Sequence, residues 1–309
     1  MADINHSFER SLADLSKNDW LKAVQRFCKT EGTFEKLGNR HYSAFLQRNE
    51  TLLVTFETLQ GIRILSADAQ PLGWDMVKAH NWSHLCIASD GDTWFRDRAV
   101  YSHFDRLIDD GFFDAFEQVI FYGAGPCGYA AAAYSVSAPG CAVLAVQPQA
   151  TLDPRVAEWD DRFAELRRVD FTNRYGYAPD MIDGAERAYV LYDPAEHLDA
   201  MHAALFTRPN VKKFRLRFMG NAIQTDLLEM DIWESLLLAI RDDQLDDLYF
   251  GKCLRMRRTH PLYLRNLMAV LDAAGRDFLL KALIRNVTSR MHAPRFARRL
   301  AQLKASEDS

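Results

Sequence analysis

Short apolar runs punctuate the chain from residue 51 to residue 218. They are TLLVTFE (51–57), SHLCIAS (83–89), EQVIFYG (117–123), AVLAVQ (142–147), RAYVLYD (187–193) and VKKFRLRF (211–218), all rich in β-branched and aromatic residues. Amphipathic patterns at helical spacing separate most of them: FRDRAVYSHFDRLIDDGF, YAAAAYSVSA, DPRVAEWDDRFAELRRV and LDAMHAALF. Apolar strands alternating with helices predict a parallel sheet covered on both faces, hence an α/β fold. Residues 1–45 read as helical, because Leu12, Leu15, Trp20 or Leu21, Val24 and Phe27 recur near a 3.6 period. Beyond Ala222 the pattern is helical to the end. The organisation expected is an N-terminal helical segment (1–50), an α/β core (51–222) and a helical C-terminal extension (223–309).

With 48% hydrophobic and 26% charged residues, the 309-residue chain has an ordinary globular composition. Its polar N-terminus and lack of a long apolar run predict no secretory signal, no membrane span and a cytoplasmic location. The five cysteines are scattered and never spaced C-x-x-C, which argues against a disulfide framework and a zinc site. His80 and His84 lie before and at the start of an apolar strand pattern, not on one helix, so no metal is expected. The net charge of −4 conceals an asymmetry: residues 252–309 hold 13 Lys and Arg against 4 Asp and Glu. The apolar residues at helical spacing among these arginines, with no accompanying aromatic stacking pattern, favour a solvated helical face over a nucleic-acid surface.

The chemistry concentrates at Gly123-Ala124-Gly125-Pro126-Cys127-Gly128. It is a literal G-x-G-x-x-G between a strand and a helix, the setting in which backbone N–H groups meet a dinucleotide pyrophosphate. That reading implies an FAD or NAD(P) oxidoreductase. The next strand should then end in an acidic side chain for the ribose, but it ends in Gln147, followed by Pro148 and Gln149.

The same turn can be a nucleophile elbow. YGAGPCGYAAAAYS followed by AVLAVQPQATLDP resembles the YGxSMGGYAA … SPQ segment of bacterial α/β-hydrolase-like proteins, including those associated with surface polysaccharide. YVLYDPAEHLDAMHAALF resembles the strand-plus-acid segment of the same families, and the likeness covers roughly residues 50–240. It implies an α/β-hydrolase sheet with no cofactor. It also implies a damaged site. Gly125 stands at the nucleophile, so no covalent acyl intermediate can form. Pro126 follows and has no N–H for an oxyanion hole, a loss worth on the order of 3 kcal/mol of transition-state stabilisation. Asn221 stands at the triad histidine and cannot take up a proton near neutrality. Asp199 matches the acid, with Asp193 as a second candidate.

Cys127, on the first turn of the helix, is a candidate substitute nucleophile for a hydrolase or acyltransferase, with His197 or His202 as its base. Against it, Cys127 faces about 200° away from the apex residue, and a small packed side chain is expected there. His202 is expected on a helix surface or at a cap. Tyr122, Gly123, Gly125, Gly128, Tyr129, Gln147 and Gln149 would line the carboxyl ends of the strands and form the ligand site. The expectation is therefore a catalytically degenerate hydrolase relative that binds a small molecule or a protein partner through this cleft or the basic tail, with oligomerisation possible.

Overall fold

The computed structural model describes residues 11–305. The N-terminal helix, Lys17–Glu31, opens at Ser16, whose hydroxyl accepts from the Asp19 N–H. Trp20, Val24 and Cys28 fall four apart and are the residues this helix buries. The expected helix continues no further. Residues 32–46 instead form a hairpin, β1 (Gly32–Leu37) and β2 (His41–Leu46).

The remaining strands are β3 (Thr51–Thr58), β4 (Ser83–Ser89), β5 (Gln118–Ala124), β6 (Ala142–Val146), β7 (Arg187–Tyr192) and β8 (Val211–Arg215). All eight form one sheet in the order β1-β2-β4-β3-β5-β6-β7-β8. β2 runs antiparallel to both neighbours and every other adjacent pair is parallel. This is the α/β-hydrolase arrangement, and it differs from the 3-2-1-4-5-6 order of dinucleotide-binding sheets. The chain is an α/β protein with a mostly parallel sheet of the hydrolase type.

Both faces of the sheet are covered, which is why β4 and β6 are buried along their whole length. On one face, helices Arg98–Asp109 and Pro126–Tyr134 pack Phe104, Tyr129 and Tyr134 against Val54, Phe121 and Val143. On the other, the N-terminal helix covers the β2–β4 side through Trp20, Val24 and Cys28. The C-terminal helices cover the β5–β8 side, where Trp233, Leu236, Leu237 and Phe250 meet Ile120, Leu144, Leu191 and Phe214. The residues after Ala222 therefore complete the sheet's own core. No helix among the described residues is long and apolar enough to cross a membrane.

The segment between β6 and β7 is the other departure from expectation. DPRVAEWDDRFAELRRV forms no continuous helix; it makes the one-turn helix Pro154–Ala157, a 3-10 turn at Ala164–Leu166, and loops. A repeated local device shapes it. Asp153 and Asp160 each accept the N–H and the guanidinium of the arginine two residues on, Arg155 and Arg162. These turns draw the backbone out of helix.

Candidate functional site

A cleft of about 300 Å³ opens at the carboxyl ends of β5, β6 and β7. At its floor is the tight turn from β5 into helix Pro126–Tyr134. Gly125 sits at φ 56°, ψ −124°, a backbone conformation essentially closed to residues with a side chain unless the surroundings enforce it. Its N–H donates to the Val146 carbonyl at 2.8 Å and its carbonyl accepts from Tyr129 N–H at 2.9 Å. A Cβ at Gly125 would meet nothing within 4 Å. Space for a side chain is present in the cleft and none fills it.

The flanking glycines are required by contact. A Cβ on Gly123 would lie 2.1 Å from the Cys127 carbonyl oxygen, and one on Gly128 would lie 3.1 Å from that of Val146. They let helix and sheet approach, so their spacing has a packing cause without any bound pyrophosphate.

Around the apex, the cleft is lined by Gln147, Gln149, Asn221, Gln224 and Thr225, together with Arg162, Phe163 and Asp199. Asn221 is solvent-exposed. Gly220, just before it, donates its N–H to Asp193 Oδ2 at 2.8 Å. Asp193, the second candidate for a triad acid, thus holds backbone and not an imidazole. Asp199 is also committed. Its Oδ2 accepts from Gln147 Nε2 and its Oδ1 from Arg162, both at 2.7 Å.

Gln147 has left-handed backbone, φ 48°, at the end of β6. Its amide is held at both ends, because its Oε1 also accepts Ile223 N–H at 3.2 Å. The side chain that would have met a ribose in the dinucleotide reading is fully engaged in the protein. Gln149 differs. It is 3% exposed, its Oε1 is buried, and that oxygen has no hydrogen-bond partner among the described residues.

Arg162 and its partners carry the cleft's charge. Burial by itself would raise Asp160, but hydrogen bonds from His202 and Arg162 outweigh it and hold the carboxyl well below the usual carboxylate range. His202 is fully buried, contrary to the expected surface position, because its face of helix His197–Leu205 packs beneath the 150–160 loop. Its Nδ1 accepts Ala150 N–H at 3.1 Å, which leaves Nε2–H to donate to Asp160 at 2.9 Å. Both nitrogens are occupied, and the imidazole serves neither the apex nor Cys127.

Cys127 is buried. Burial, reinforced by the charges of Glu57 and Asp92, pushes its thiol far up. The helix-start position does not yield a thiolate, because desolvation exceeds any dipole effect. The second oxyanion donor of a hydrolase would come from a loop after β3. Here β3 passes directly into helix Leu59–Leu65, with Thr58 as its N-cap.

Of the residues expected to face a ligand, Gly125, Gln147 and Gln149 line the cleft together with Asn221 and Asp199. Tyr122 and Tyr129 are wholly buried in opposite cores: Tyr122 packs on Trp233, and the Tyr129 hydroxyl donates to the Tyr175 carbonyl. Arg162, Phe163, Gln224 and Thr225 were not foreseen. The repeated D-x-R pattern was the available signal for Arg162.

Two groups of side chains have metal-ligand composition. Glu57, His84 and Cys86 lie together under the sheet face. There the Thr55 hydroxyl already bridges them, at 2.6 Å from Glu57 Oε1 and 2.8 Å from His84 Nε2. Burial pushes His84 down to about 3 and raises Glu57. The second group is Asp226, Glu229 and His260, among the C-terminal helices.

No known protein-family profile matches the sequence, and no curated protein does. Among solved structures, the chain is similar to the capsule O-acetyltransferase of Neisseria meningitidis serogroup A, with 12% identity, a TM-score of 0.40, and coverage of 67% of this chain and 93% of that one. It is similar to an esterase from the archaeon Pyrobaculum calidifontis, with 11% identity, a TM-score of 0.43 and coverage of 79% and 97%. It is similar also to Est1E from Butyrivibrio proteoclasticus, with 12% identity, a TM-score of 0.44 and coverage of 67% and 98%.

Proposed function

We propose that this chain is a catalytically degenerate protein of the α/β-hydrolase fold that binds a neutral, hydroxyl-rich ligand of the saccharide class in the cleft above Gly125. The observation that carries the reading is the orphaned Oε1 of Gln149, a buried acceptor at the cleft wall. Such an oxygen costs about 1–3 kcal/mol when left unmet, and rotation of the Gln149 carboxamide toward the cleft would let a ligand hydroxyl satisfy it. Asn221 and Gln224 add two further amides to the lining, and an amide both donates to and accepts from a hydroxyl. Arg162 is matched by Asp160 and Asp199, so the wall has no surplus positive charge for a phosphate or pyrophosphate. Nothing at the apex can attack an ester: the position lacks a hydroxyl, its neighbour lacks an N–H, and the facing residue is an asparagine. Resemblance to polysaccharide-associated hydrolase-like proteins accords with a sugar, and a link to surface polysaccharide is part of the proposal.

Calorimetry of the whole chain against a panel of neutral mono- and oligosaccharides, with NAD(P) and FAD in parallel, tests it. Saccharide binding that Gln149→Ala weakens is expected. Nucleotide binding with no saccharide binding, or ester turnover by the unaltered chain, would overturn it.

A further inference from the structure

Away from the cleft floor, Asp226 and Glu229 stand three residues apart on one face of helix Ile223–Glu229. His260, the N-cap residue of helix Pro261–Ala273, is brought against them. One donor atom from each lies within 4.8 Å of the other two. His260 Nε2 is 2.8 Å from Asp226 Oδ1 and 3.9 Å from Glu229 Oε2.

This cluster is short of positive charge. Asp226 is 1% exposed, and its Oδ2 is buried with no hydrogen-bond partner among the described residues. Neither carboxylate is paired with a lysine or arginine among those residues. A buried carboxylate oxygen beside a second carboxylate is a costly arrangement unless a cation joins it. Glu229 is 60% exposed, so one side of the cluster is open for an ion to enter and for water to complete its coordination.

We propose that Asp226, Glu229 and His260 bind one divalent transition-metal ion. Two carboxylate oxygens and one imidazole nitrogen suit zinc, cobalt or manganese. Calcium wants six to eight oxygens, and soft ions prefer sulfur. The Glu57, His84 and Cys86 group is the weaker candidate, because the Thr55 hydroxyl occupies the space between its donors and no open side admits an ion. The ion would staple helix Pro261–Ala273 to helix Ile223–Glu229. Gln224 and Thr225 of the latter line the cleft, and Ile223 N–H holds Gln147. Occupancy would therefore stiffen the cleft wall without entering it.

The test uses the whole chain, stripped with EDTA, dialysed, and titrated with zinc against a chromophoric chelator and with cobalt by visible absorption. One ion per chain is expected, with a cobalt d–d band free of sulfur-to-cobalt charge transfer. Glu229→Gln, an exposed change, should weaken zinc binding at least about tenfold and leave the metal-free melting temperature unchanged. His260→Gln should abolish binding. No stoichiometric binding, a thiolate charge-transfer band, or unchanged affinity in Glu229→Gln would each overturn the proposal.

Discussion

His202 Nε2–H donates to Asp160 at 2.9 Å, and both side chains are fully buried. The hydrogen bond fixes one wall of the cleft, since Asp160 also grips Arg162, and Arg162 grips Asp199. Replacing Asp160 with alanine strands a buried imidazole N–H and releases the guanidinium. The expected cost is on the order of 3 kcal/mol, read from urea unfolding at pH 7. Because the folded state holds the Asp160 carboxyl below its unfolded value, its contribution is complete above the unfolded carboxylate pKa near 4. It fades as pH falls below that value. The stability gap between wild type and Asp160→Asn should thus narrow from pH 5 to pH 3. A gap that widens on acidification would contradict the assignment.

Two glycines of the G-x-G-x-x-G turn, Gly123 and Gly125, are separable by substitution. Gly123→Ala forces a Cβ to 2.1 Å from a backbone carbonyl oxygen, which only displacement of the helix can relieve, and the protein should be severely destabilised. Gly125→Ala places its Cβ in open space, and its cost is the positive φ alone, about 1–3 kcal/mol. Gly125→Ser should fold with a similar penalty and remain unlabelled by a fluorophosphonate, because Pro126 and Asn221 still withhold the donor and the base. Joined with Pro126→Met and Asn221→His it should acquire slow labelling at position 125. Denaturant midpoints and intact mass give both readouts.

That contrast also separates what could be read in the sequence from what could not. The five strands β3 to β7 were legible because burial on both faces leaves near-continuous apolar runs, and β8, at the sheet edge, was legible from its β-branched and aromatic residues. β1 and β2 were not: the Thr33-Phe34-Glu35-Lys36 stretch of β1 is half exposed at the sheet edge, and the hairpin follows a helix without a break in pattern. Gly125, Gln147, Gln149, Asp199 and Asn221 could be placed at one cleft because each follows a strand end. Arg162 and His202 could not. Their positions depend on hydrogen bonds between a loop and a helix distant in sequence, and such bonds have no period. The literal G-x-G-x-x-G is ambiguous for a related reason, since close helix–strand packing demands the same glycines as a pyrophosphate.

Cys127 should be chemically quiet. Burial raises its thiol far beyond neutral pH, while Cys253 is only partly buried and its thiol is raised less strongly. Iodoacetamide at pH 8 should modify Cys253 first in the native protein and reach Cys127 only with unfolding, as followed by peptide mass spectrometry. Preferential native labelling of Cys127 would revive the thiol-nucleophile reading.

Glu57 should show the opposite pH signature to Asp160. It lies buried at the end of β3, accepting hydrogen bonds from Thr55, Cys86 and Leu72 N–H. Burial outweighs these bonds and raises its carboxyl above the ordinary value of 4.5. An acid whose folded pKa is raised binds its proton more tightly in the folded state, so folding loses stability as pH climbs from about 4.5 toward the raised value. Glu57→Gln removes that titration, although its amide must reorganise around the Leu72 N–H and will lower stability at acid pH. The informative quantity is the slope. Between pH 4.5 and 8 the wild-type melting temperature should fall relative to that of Glu57→Gln, and the two curves should converge or cross on the alkaline side. Parallel curves would mean that the charged form is better solvated at this site than its burial allows.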